Sequence, residues 1–139
     1  MKKIIFIGLI LCGACAKGPQ PKDVVFDFID AVKSSDSLRV TQILDIDSYV
    51  KSLMTEMSPA DSAQVLSDYR VKTIQSLLGN GEVRQSWMRS LIVVNKEEKK
   101  DSTAEVEVSF IDQALGRQLY TKMQLHQQPN GGWKITYFK

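Results

Sequence analysis

The chain has 139 residues, enough for one domain, with 43% apolar and 24% charged residues. That balance excludes a disordered, collagen-like or disulfide-dense chain. Its formal charge of +2 comes from 18 Lys and Arg against 16 Asp and Glu; with Lys2 and Lys3 set aside as part of a leader the two counts are equal. No long-range field then draws the chain toward nucleic acid or anionic lipid.

Met1-Lys2-Lys3 is a positively charged start, followed by the apolar run Ile4 to Leu11 and the small residues Gly13 and Ala14. Eight apolar residues rise only about 12 Å as a helix, against a hydrocarbon core of roughly 30 Å, so the run reads as an export signal rather than a membrane span. Its exit, Cys12-Gly13-Ala14-Cys15, resembles a bacterial lipobox, with Cys12 where that family usually has Leu. The resemblance implies cleavage before Cys15 and lipidation of its thiol, and a triacylated cysteine exceeds the two-signal threshold for stable anchoring. It further implies palmitate on the chain and a place in the bacterial envelope, at the periplasmic face of the outer membrane. Both cysteines lie at or before position 15. The mature chain is therefore expected to have neither a disulfide nor a free thiol. The expected organisation is a signal peptide over 1–14, a lipidated Cys and tether over 15–22, and one domain over 23–139.

From Asp23, Val24, Val25, Phe28, Ile29 and Val32 fall on one face of a first helix. Ser34 to Ser37 ends it and caps a short second helix over Leu38–Leu44. Ile46, Val50, Leu53, Met54 and Met57 predict a third helix. Ser58-Pro59-Ala60-Asp61 predicts the start of a fourth, which carries Leu66, Tyr69, Ile74 and Leu77 and stops at Gly79-Asn80-Gly81. Past Gly81 the period reads as two. Trp87, Leu91 and Val93 alternate with Met88, Ile92 and Val94, predicting a central strand apolar on both faces. Asn95 to Asp101 is charged and predicts a solvated hairpin loop. Ala104, Val106, Val108 and Phe110 then alternate with Glu105, Glu107 and Ser109, and Leu119 to Leu125 alternate with Tyr120 to His126. Pro129-Asn130-Gly131-Gly132 is a turn before a last strand with Trp133, Ile135 and Tyr137. Helices followed by a four-stranded antiparallel meander make an α+β layer fold.

The stretch Val24 to Val32 with Ser34-Ser35-Asp36, and the closing Gly131-Gly132-Trp133-Lys134-Ile135, resemble the opening helix and the C-terminal strand of the nuclear transport factor 2-like superfamily. Among bacterial lipoproteins the chain is similar to the domain of unknown function 4878 group. The resemblance implies N-terminal helices closing a curved four-stranded antiparallel sheet into a cone. A cystatin-like arrangement is the alternative. It also implies two possible roles, since members include isomerases and related enzymes that place a carboxylate base and a Tyr or Asp donor inside the cone.

The residues favour a binding role. Glu105 and Glu107 share a face opposite the apolar set and are expected in solvent, and Asp45 and Asp47 are expected to cap a helix. His126 is the sole histidine, on the polar face of its strand, so no metal site and no cofactor is expected. The expected pocket or sheet-face residues are Trp87, Leu91, Val93, Val106, Val108, Phe110, Tyr120, Trp133 and Tyr137. The expected activity is a non-enzymatic, membrane-tethered module. Its partner would be a second copy, an envelope protein or a small apolar ligand. The alternative is a small periplasmic isomerase or hydro-lyase, for which a buried carboxylate without an ion-pair partner would be the mark. If the Trp87, Leu91 and Val93 row packs on the helices, Met88, Ile92 and Val94 need a cover, from a partner and in part from a C-terminal side chain such as Phe138.

Overall fold

A computed structural model describes residues 18–57 and 63–139. The leader with Cys12 and Cys15, and the Ser58-Pro59-Ala60-Asp61 cap, lie outside the described residues. Five helices precede four strands: α1 Pro21–Lys33, α2 Ser37–Ile43, α3 Ile46–Met57, α4 Ala63–Leu77, α5 Glu82–Arg89, β1 Leu91–Lys100, β2 Thr103–Asp112, β3 Arg117–Gln127 and β4 Trp133–Phe138. The strands form one antiparallel sheet in the order β1-β2-β3-β4.

The helix α1 starts two residues before the expected boundary. Pro21 takes the first helical position, where its missing N–H costs nothing, and the Gln20 N–H donates to Asp23 Oδ2 at 3.2 Å. Pro21 is buried and the Lys22 N–H donates to Glu97 Oε2 at 2.7 Å, so these two residues belong to the domain and not to the tether. Val24, Val25, Phe28, Ile29 and Val32 form the buried stripe, as their spacing requires. Asp36 caps α2 through the Arg39 N–H at 3.1 Å, and the Arg39 guanidinium returns to Asp27 and Asp30 on α1, locking the two helices. Between α2 and α3, Leu44 forms a parallel bridge to Ile135 and the Asp45 N–H donates to the Ile135 carbonyl at 2.8 Å. The α2–α3 link thereby covers part of the free edge of β4.

Two expectations fail around β1. Residues 82–89 are helical, because Val83 and Trp87 recur at helical spacing and Gly81 caps a turn with Glu82 first and Arg89 last, matching the helix dipole. The strand β1 pairs only with β2, so it is an edge strand and not a central one. Asn95–Lys100 is also strand rather than loop. Its charges alternate with the pleat, and the turn shrinks to Asp101-Ser102, with Asp101 at φ 51°. One extra residue, Asn95, bulges between Val94 and Lys96.

The helices and the inner sheet face enclose an aromatic core. Trp87 stacks on Phe110 with centroids 4.7 Å apart and planes at 13°, and meets Phe28 edge-on at 5.9 Å. Phe138 sits between Phe28 at 5.8 Å and Tyr49 at 4.6 Å. Phe138 is thus inside the core and covers nothing on the outer sheet face. Each such side chain contributes roughly 1.5–3 kcal/mol through burial.

Candidate functional site

The nine expected pocket or sheet-face residues divide in three. Val106, Val108, Phe110, Trp87 and Trp133 are core, none more than 6% exposed, and Lys99 Nζ lies 5.3 Å over the Trp133 ring. Tyr137 is half-buried at the β4 edge with its ring 6.0 Å from Tyr49. Leu91, Val93 and Tyr120 are exposed at 54%, 39% and 64%. Trp87 therefore does not share a surface with Leu91 and Val93. Ile92 and Val94 pack on the core, and the row that includes Leu91 and Val93 faces out.

Register fixes what surrounds that row. Val93 pairs with Ser109 and Ser109 with Tyr120, while Leu91 pairs with Ile111 and Ile111 with Gln118. Since cross-strand partners share a face, Leu91, Val93, Ile111 and Tyr120 form one apolar strip over three strands. Beneath it is a polar knot that the sequence pattern does not reveal. Ser109 is 1% exposed although it sits on the outer face. Its Oγ accepts from Asn95 Nδ2 at 2.7 Å and from Gln118 Nε2 at 3.2 Å. The only hint is a lone Ser in a Glu-alternating strand. The bulge that brings Asn95 over Ser109 on the outer face has no signature in composition.

The other end of the outer face is charged. Lys122 Nζ bonds Glu105 Oε1 at 2.9 Å and Lys96 pairs with Glu98, so both strand acids face outward as expected. A groove of about 1000 Å³ opens there, lined by Asp45, Glu98, Lys100, Glu105, Gln124 and His126. Asp45 caps α3, accepting from the Ser48 N–H at 3.1 Å and its hydroxyl at 2.8 Å. Partial burial works against its ionisation, but the Ser48 bonds and nearby Lys134 outweigh this and hold the carboxyl below its ordinary value. Asp47 is not a cap; it accepts from Arg70 Nε at 2.7 Å. Among the described residues no group of three metal-ligating side chains converges.

The mark of an isomerase-like site is not met by the acid best placed for it. Asp112 is the buried carboxylate among the described residues, and it lies 3.6 Å from Arg89 Nε and accepts the Leu115 N–H at 3.1 Å. Tyr49, inside the core, has its phenol pushed up to about 12 by burial and by Tyr137, so it stays protonated at neutral pH.

Helices packed on an open antiparallel sheet in this order recur in a solved structure from Campylobacter jejuni, provisionally named an NTF2-like transpeptidase. It is 13% identical, covers 87% of this chain and 100% of its own, and superposes with a TM-score of 0.54. The fold is nuclear transport factor 2-like. An NTF2-like protein of unknown function from Cytophaga hutchinsonii, also 13% identical, covers 86% of each chain with a TM-score of 0.43. No protein-family model matches the sequence, and no curated protein matches it. At this identity the nuclear transport factor 2-like likeness is one of fold, and function has to be argued from the surfaces above.

Proposed function

We infer that the chain is a lipid-anchored, non-enzymatic binding module of the bacterial envelope, held through Cys15 and associating with a second copy through its outer sheet face. The observation that carries this reading is the strip of Leu91, Val93, Ile111 and Tyr120, in which Leu91, Val93 and Tyr120 stand exposed on the outer sheet face. Covering them recovers roughly 1.5–3 kcal/mol for each large side chain fully buried. A second copy suits the rest of the face. Lys96, Lys100 and Lys122 stand against Glu98, Glu105 and Glu107, so two such faces meet without net charge. The interior, filled by Phe28, Trp87, Phe110 and Phe138, supports a protein contact over a small apolar ligand in the cone.

The experiment uses the full chain extracted in mild detergent. Wild type should sediment as a dimer and Val93→Lys as a monomer with an unchanged thermal midpoint. A monomeric wild type, or a dimeric variant, overturns the contact. Cys15→Ser should lose palmitate labelling and leave the membrane fraction; a variant that still labels overturns the anchor.

A further inference from the structure

We draw no further inference here: the strongest candidate, the mixed-charge groove at the hairpin end of the outer sheet face, carries nothing because its acids are already held within the chain, Glu98 by Lys96, Glu105 by Lys122 and Asp45 by Ser48, and nothing in the structure shows what ligand would fill it.

Discussion

Replacing Trp87 by Ala tests whether the aromatic interior is a packed core or an emptied ligand cleft. Trp87 is 6% exposed and touches three rings, stacked on Phe110 and angled against Phe28 and Phe138. Truncating a core Trp costs about 3–5 kcal/mol, and losing a stacked partner places this one toward the upper end. A domain of this size holds roughly 5–15 kcal/mol in all, so the variant keeps only part of its stability. With a urea slope of about 2 kcal/mol/M, a loss of about 4 kcal/mol lowers the unfolding midpoint by about 2 M. The assay is urea unfolding followed by circular dichroism, with Met88→Ala as the control because its neighbouring side chain is 47% exposed on the same helix. A midpoint shift for Trp87→Ala no larger than that of Met88→Ala would refute the packed-core reasoning and return the interior to the list of ligand sites.

Gly81→Ala should destabilise by about 1–3 kcal/mol, because a Cβ there would lie 2.2 Å from the Gln75 and Ser76 carbonyl oxygens at the end of α4. Gly116→Ala, at φ +62° with open space around it, should cost less, and urea midpoints give the comparison. Removing residues 1–17 should leave stability intact. Removing 1–22 also deletes buried Pro21 and the Lys22–Glu97 bond, and should cost about 1–3 kcal/mol by the same assay. Asp45 has a folded-state pKa below its unfolded value, so its contribution is present above about pH 4 and lost as pH falls through the folded value. Melting profiles should therefore drop more steeply on the acid side for wild type than for Asp45→Asn; parallel profiles would mean the Ser48 cap does not couple to ionisation.

The first four helices are legible in the sequence because each places its apolar residues at helical spacing. Val24 to Val32 shows a clean stripe, Asp36 follows with its cap, and the positive-φ glycines at 79 and 131 mark the ends of α4 and of the β3–β4 link. What failed was the segment from Val83 to Lys100, for two physical reasons. Trp87, Leu91 and Val93 can be read as one face of a strand only if the chain is straight. A helix ending at Arg89 rotates the register, so Trp87 faces in while Leu91 and Val93 face out. The run Asn95–Lys100 carries the charge of a loop because it is an unshared edge, where charge is no obstacle to pairing on its one bonded side. An uncovered row follows from a strand apolar on both faces, but the structure reverses the expected rows: Ile92 and Val94 pack on the core while Leu91 and Val93 face out.

The proposed outer-face contact and the proposed anchor fit one orientation. The chain enters the domain at the hairpin end of the sheet. The Lys22 N–H is bound to Glu97, and a Cβ on Gly18 would lie 3.8 Å from the Gly131 carbonyl in the β3–β4 turn. Cys15 lies only five residues before Gln20, about 17 Å of fully extended chain, so the proposed lipid there would hold this end close to the bilayer. Leu91, Ile111 and Gln118 sit in register at the opposite end of strands ten and eleven residues long, roughly 30 Å further out. With the proposed anchor in place, the apolar strip would point away from the membrane, where a neighbouring copy could reach it. The charged groove with Glu98, Lys100 and His126 is at the same end of the sheet as Lys22, and with the proposed anchor in place it would face lipid headgroups. Its lysines are balanced by Glu98, Glu105 and Asp45, so it would add little attraction of its own, and the proposed lipid would have to carry the attachment.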